Sequence, residues 1–296
     1  MATLYVDLMS QPSRACAIVC DLAGLTTTSS SSSSSSSNGG AGSAPPAVAV
    51  ATLRLDRGEQ RAEPFASLNP LQKVPFLALP PPTSRGDGAG QAHPLLKGIP
   101  ESGAIIPYLA AAFPGRVPAS FRRPAACPVA AARHDASLLW VQSSLRAGAM
   151  RVVFNRVIGP LVFKKSGSRD VAEHGAQVLK GALADLERTW LANGRRRFIG
   201  GGGGDDDDAA QAGTADLLCL CELDQLMLLD AADPDGGPCT RDFIPPGSVV
   251  EAWRGRVREA CGGEAGAYGR ATRTLRAAAA RGEEARRRDG GAGSPL

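Results

Sequence analysis

Ser10 stands where a hydroxyl can do chemistry. Leu4-Tyr5-Val6-Asp7-Leu8 alternates as a short strand does, and Ala15, Ile18, Val19 and Leu22 then recur at helical spacing. Pro12 falls where that helix starts, the one helical position that suits proline. Ser10 therefore lies between a strand's end and a helix's beginning, beside unpaired backbone N–H groups and the positive end of the helix dipole. A serine there can cap the helix, or its hydroxyl can stabilise an anion placed next to it. Ser13 shares the corner but lies inside the first helical turn, so a local capping role is expected for it.

Two later stretches carry polar groups at similar corners. Asn69-Pro70-Leu71-Gln72-Lys73-Val74-Pro75-Phe76-Leu77 reads as a turn, a proline and a strand. Glu101-Ser102-Gly103-Ala104-Ile105-Ile106-Pro107-Tyr108-Leu109 opens another helix. With Ser10-Gln11-Pro12-Ser13-Arg14-Ala15 before them, these motifs resemble the glutathione transferases, and among them the theta class with its serine active site. The resemblance runs from residue 4 to about residue 261. It implies an α/β thioredoxin-like N-terminal domain followed by an all-α C-terminal domain. It also implies glutathione as co-substrate, a homodimer, and an electrophile bound between the domains.

The residue types suit that chemistry. A free thiol titrates near 8.5, so little of it is thiolate at neutral pH. Lowering that value by about two units takes roughly 2.7 kcal/mol. One hydrogen bond to a charged group contributes about 1.5–3 kcal/mol, so the Ser10 hydroxyl is of sufficient size, as thiolate stabiliser and not as nucleophile. Glutathione also has two carboxylates and one ammonium. Ser102, at a helix start, offers its hydroxyl and backbone N–H to one carboxylate, and Glu101 can pair with the ammonium. Gln60, Arg61 and Lys73 supply polarity for the glycine carboxylate. The resemblance makes the Val74–Pro75 bond cis, so that the backbone of Val74 pairs with the peptide.

The second half should supply the electrophile's side. Ala132, Ala136, Leu139, Ser143, Arg146, Met150 and Val153 fall on one stripe at three- and four-residue steps, expected to face inward. A guanidinium on such a stripe must be paired or must border a polar cleft. The resemblance puts an active-site arginine at Arg146 and places Ser143 near glutathione; an ion pair within the helical domain is the competing role for Arg146.

The expected elements follow from pattern. A strand is expected at 48–55, a helical turn at 65–68, strands at 74–79 and near 95–98, and a helix from Glu101-Ser102. Proline-rich residues 114–128 read as a linker between domains at 1–113 and 129–282. One long helix, or two, is expected over 129–158, an amphipathic one through Leu179, Leu183, Leu186 and Trp190, and a buried one over 217–229. Ser248-Val249-Val250-Glu251 reads as a capping box. An arginine-rich helix is expected over 264–281, and a disordered tail over 283–296. Residues 26–46, with nine consecutive serines, and 80–97 read as insertions, the first of them disordered. Residues 201–213 read as an acidic, glycine-rich insertion. The family's Ser or Thr cap three residues before the buried Asp216 is Gly213 here, with Thr214 as the candidate substitute.

Composition narrows the class. The 296 residues carry a net charge of +4, unevenly: residues 254–288 hold ten arginines against four glutamates. That basic end reads as a solvated helical surface, so no nucleic-acid partner is expected. No apolar run of 18 residues exists, so no membrane span is expected, and the start lacks a signal-peptide pattern. Seven cysteines without a Cys-x-x-Cys pair read as free thiols of a reducing compartment, and His93, His134 and His174 stand apart from them, so no metal is expected. The reading is a cytoplasmic theta-like glutathione transferase, with peroxidase activity as a second use of its thiolate. Ser294-Pro295-Leu296 is similar to a peroxisomal Ser-Lys-Leu ending, with proline in place of the basic residue. Two alternatives stand beside this reading: a non-catalytic transferase-like interaction module, and a redox enzyme using Cys16. The latter is disfavoured because Cys16 lies inside the helix, away from its activating start.

Overall fold

The computed structural model describes residues 1–26, 47–80, 97–200, 211–232 and 237–291. The serine-rich insertion lies outside them but for Thr26, as does the 80–97 insertion but for its two ends. Residues 201–210 of the acidic insertion and the final five residues lie outside them too.

Strand β1 (Ala2–Val6) leads through helix α1 (Gln11–Leu22) to β2 (Val48–Thr52), which pairs parallel to β1. A short helix α2 (Phe65–Leu68), antiparallel strands β3 (Phe76–Ala78) and β4 (Gly98–Pro100), and helix α3 (Ser102–Ala112) complete the unit. The sheet order is β2-β1-β3-β4. Leu4 and Val6 of β1 and Leu77 of β3 have no exposure, and they pack with Ile18 of α1 and Ile105, Ile106 and Leu109 of α3. This is the thioredoxin-like arrangement. Strands β3 and β4 are shorter than expected and β4 starts later, at Gly98. Proline at 75 has no N–H to give the ladder, so β3 begins at Phe76.

The remainder is helical. α4 (Pro128–Trp140) runs through a π-helical stretch (Val141–Arg146) into α5 (Ala147–Val153), and a second π-helical stretch extends to Val162. α6 (Arg169–Asp185) packs closely on α5. Gly148 and Gly175 permit this: a Cβ on Gly148 would lie 2.5 Å from the Leu179 nitrogen, and one on Gly175 2.5 Å from the Arg151 Cβ. Every residue of α7 (Thr214–Asp224) is buried, as its apolar run predicts. α8 (Met227–Ala232), α9 (Thr240–Phe243), α10 (Val249–Ala260) and α11 (Ala267–Gly291) follow. The Ser248 hydroxyl caps α10 by accepting from Glu251 N at 3.2 Å. α11 continues past residue 281, so 283–291, expected as tail, are helical. One hydrophobic cluster spans both regions.

The expected inward stripe on the long helix is corrected. Ala132, Ala136, Leu139 and Ser143 are exposed, Leu139 by 70%, while Ser137, Val141, Leu145 and Ala149 face inward. These buried residues recur every four positions, the wider period that a π-helical turn imposes. A 3.6-residue period carried straight through 141–146 crosses from the outer face to the inner one, and only Val153 of the expected stripe is fully buried.

Candidate active site

The site is built from one edge of the sheet. Asp7, at the end of β1, accepts from Met9 N at 2.8 Å on Oδ1 and from Leu55 N at 3.0 Å on Oδ2, and its carbonyl accepts from Ser10 N at 2.8 Å. These bonds fix the turn before α1 and join it to the chain leaving β2. Ser10 has extended geometry (φ −80°, ψ 125°), is half-buried, and makes no side-chain capping hydrogen bond. Its hydroxyl is therefore not spent on the helix. Ser13 has no exposure, and its Oγ accepts from Asp7 N at 3.4 Å, inside the fold.

Strand register brings the other two motifs to the same edge. Tyr5 pairs with Phe76, and Phe76 with Pro100. The residues just beyond, Val74-Pro75 and Glu101-Ser102, therefore emerge beside the end of β1. The Val74–Pro75 bond is cis. Asn69, fully buried, holds the loop before it: Nδ2 donates to Lys73 O at 2.9 Å and Oδ1 accepts from Leu71 N at 3.2 Å. Glu101 is exposed and left-handed (φ 68°), a conformation that costs a side-chain-bearing residue about 1–3 kcal/mol and gathers at functional sites. Ser102 is 1% exposed, and its Oγ is buried without a partner among the described residues. Buried hydroxyls are ordinarily bonded, which makes this one a candidate contact for a bound group.

Gln60 sits in a 3₁₀ turn (Glu59–Arg61) on the chain leaving β2, and its Oε1 is likewise buried without a partner. Arg61 and Lys73 are exposed. Ser143 is exposed on the long helix. Arg146 pairs with Glu222 of α7, an ion pair of the kind expected as its alternative role. Thr214 does not cap α7: its hydroxyl donates to Phe121 O at 2.9 Å. The N-terminus of α7 instead relies on Asp216, whose carboxylate accepts from Ile199 N, Gly200 N, Gly213 N and the Trp253 indole. Burial still pushes the Asp216 carboxyl up, against the pull of those bonds. Cys16 has no exposure, and burial first, then Cys20 and Cys221, push its thiol well above the ordinary range. That removes the redox reading. A cavity of about 740 Å³ lies elsewhere, between the linker and α10 around Phe121, Phe198 and Arg256, and shares no residue with the Ser10 corner.

Residues that sequence reasoning passed over complete the corner. Gln11 is 3% exposed and its amide meets Met150 Sδ at 2.7 Å, joining α1 to α5. Arg14 is fully buried and binds the backbone of Leu8 before α1 and of Cys221 in α7. Asp7 and Asn69 shape the two loops. An acid directly at a strand's end and an asparagine before proline are turn formers, which was the available signal for those two. Among the described residues no cluster of His, Cys, Asp and Glu could hold a metal ion, and no helix is long and apolar enough to cross a membrane.

No family model matches the chain. It is 32% identical over 230 residues to glutathione S-transferase T1 of Arabidopsis thaliana, covering 78% of this chain and 74% of that one. Among solved structures it is similar to human glutathione transferase theta-2 in complex with glutathione (26% identity, TM-score 0.65, 93% and 87% of the two chains). It is also similar to a human theta-class transferase bound to the glutathione conjugate of 1-menaphthyl sulfate (26% identity, TM-score 0.62, 95% and 91%).

Proposed function

Because the chain belongs to the glutathione S-transferases and to their theta class, we propose that it joins the sulfur of glutathione to electrophiles, with Ser10 holding the thiolate. The observation that carries this is the pairing, on one sheet edge, of an uncommitted Ser10 hydroxyl with a buried, partnerless Ser102 hydroxyl. Ser102 and the free N–H groups opening α3 receive a glutathione carboxylate, and Glu101 receives the ammonium. The Val74 backbone before cis-Pro75 pairs with the peptide, and Gln60, Lys73 and Arg61 face the glycine end. The thiol gives its proton to solvent. Ser10 donates to the resulting thiolate, which forms a C–S bond while the bond to the leaving group breaks. The α1 dipole adds about 0.3–1 kcal/mol to the hydrogen bond. The theta-class structure with a menaphthyl sulfate conjugate supports a sulfate ester as one electrophile. Reduction of hydroperoxides by the same thiolate, a homodimer, and cytoplasmic residence, suited by seven free thiols, belong to the proposal. So does the division into units at 1–113 and 129–282. A non-catalytic module has no use for a strained Glu101 beside an unpaired Ser102.

Ser10→Ala is the test. It should lower turnover about 10²-fold, the equivalent of roughly 2.7 kcal/mol, while glutathione still binds through Ser102. Full activity in Ser10→Ala, with Ser13→Ala inactive, would transfer the role to the other serine.

A further inference from the structure

Arg14 is the fourth residue of α1 and has no exposure, although nothing in the thiolate chemistry above requires a guanidinium there. Its bonds explain the burial. Nη1 donates to the carbonyls of Leu8 and Met9, both at 3.1 Å. Those are the two peptide groups immediately before Ser10. Nη2 donates to Cys221 O at 2.9 Å and Gln225 Oε1 at 2.8 Å. Both acceptors lie at the C-terminal end of α7. Gln225 N bonds to Glu222 O there and not to Cys221 O. The Cys221 carbonyl is thus among the acceptors a helix end leaves unpaired, and a cation suits the negative end of that helix's dipole.

From this geometry we propose that Arg14 is a positioning residue for Ser10. One arm of its planar fork holds the turn that sets the Ser10 hydroxyl, and the other anchors that turn to the helical region. The height of the hydroxyl above the sheet edge is then fixed by α7, not by the short β1–α1 turn alone. A misplaced donor stabilises a thiolate poorly even where glutathione is still held by its carboxylates. The effect therefore falls on thiol ionisation and not on glutathione affinity. Lysine is no substitute: it has one ammonium and cannot reach carbonyls on both sides at once. This inference rests on the Ser10 reading for its catalytic consequence, while the anchoring can be measured without it.

The test compares wild-type full-length protein with Arg14→Lys, Arg14→Met and Gln225→Leu, the last removing a single α7 partner and keeping Arg14. Hydrogen exchange of residues 7–12 reads the anchoring without any substrate. The Met9 and Ser10 amides, which bond to Asp7, should exchange at least about tenfold faster in both Arg14 variants and less markedly in Gln225→Leu. Ultraviolet absorbance of bound glutathione thiolate against pH should show the thiol pKa raised by about one unit in the Arg14 variants. Turnover below that pKa should drop about tenfold, with KM for glutathione changed less than about threefold. A lower melting temperature with an unmoved thiol pKa would make Arg14 structural only and overturn the proposal. So would Arg14→Lys behaving as wild type. If Arg14→Met does not fold, Gln225→Leu decides: unchanged exchange and unchanged pKa would likewise overturn it. Absence of thiolate in the wild type would end the conjugation reading, and the exchange rates alone would then decide for or against the anchoring.

Discussion

Arg146→Ala separates the two roles open to that residue. Arg146 and Glu222 pair across the boundary between the long helix and α7, with side-chain exposures of 27% and 4%. The second oxygen of Glu222 is buried without a partner. Burial pushes the Glu222 carboxyl above its ordinary value, and Arg146, followed by Arg14, pulls it back only in part. Removing the arginine leaves a nearly enclosed carboxylate with its main partner gone. Breaking a buried pair by removing one member costs about 3–5 kcal/mol; the partial exposure of Arg146 places this case near the lower end, about 3 kcal/mol. Urea unfolding at neutral pH would measure it. Adding Glu222→Gln to Arg146→Ala removes the stranded charge and should return about 1–3 kcal/mol as coupling energy. The pH dependence gives a second handle. A carboxyl whose folded pKa lies above its unfolded value binds more protons when folded. Its penalty therefore grows as pH rises from the unfolded value, about 4.3, through the folded one, and is constant beyond. Arg146→Ala moves the folded value further up, so its deficit should be largest at neutral pH and should shrink as pH falls toward about 4–5. A loss under about 1 kcal/mol, equal at both pH values, would refute the ion-pair argument. If turnover then fell only for substrates with anionic leaving groups, Arg146 would belong to the electrophile site.

Three further outcomes follow from single features. Ser102→Ala removes a hydroxyl that the protein leaves unpaired, so the fold should be no less stable by thermal melting, while glutathione affinity in equilibrium dialysis falls about tenfold. Asp224 is held by Arg254 at 2.9 Å, Arg258 at 2.7 Å and the Tyr268 hydroxyl at 2.8 Å. Burial raises its carboxyl, but the two arginines outweigh that and hold it below the usual range. Its stabilisation is present above the unfolded pKa and is lost as pH falls through the folded one. Asp224→Ala should cost about 3–5 kcal/mol at neutral pH in urea unfolding. Excising residues 29–43 should change stability by less than about 1 kcal/mol, because closure cost varies slowly with loop length. The flanks are already joined, Ala47 N and Val48 N both donating to Leu25 O at 3.0 Å; a large fall in melting temperature would count against this.

How legible each feature was depends on the range of the physics behind it. The β1–α1 corner was readable because strand alternation, a proline at the helix start and helical spacing are all local, and they agree. The Glu101-Ser102 helix start was readable for the same reason, although the left-handed backbone of Glu101 was not: no local rule puts glutamate there. Arg14 was invisible because an arginine in a first helical turn reads as solvated, and two of its four acceptors lie at the end of α7, more than two hundred residues away in sequence. The inward face of the long helix was misread because its alanines spread apolar character over two adjacent faces. Only the π-helical turn at Val141–Arg146 decides between them.

The last turn of α7 draws these features together. Cys221 O and Gln225 take Arg14 from α1, Glu222 takes Arg146 from the long helix, and Asp224 takes Arg254 and Arg258 from α10 and Tyr268 from α11. A helix end buried this deeply cannot give its carbonyls or its carboxylates to water. The arginines are what make the burial tolerable, and they come from three packed elements: α1, the long helix and α10. α11 also returns to the far end of α1 through Arg270 and Asp21 at 2.6 Å. α1 is therefore held at its start by α7 and at its close by α11. A change in how α10 or α11 packs reaches the Ser10 turn through α7 and Arg14, without touching glutathione. Loss of Asp224, far from the sheet edge, should for that reason disturb thiol ionisation as well as stability. A substitution on the exposed arc at Leu139, which has no tie to this hub, should disturb neither.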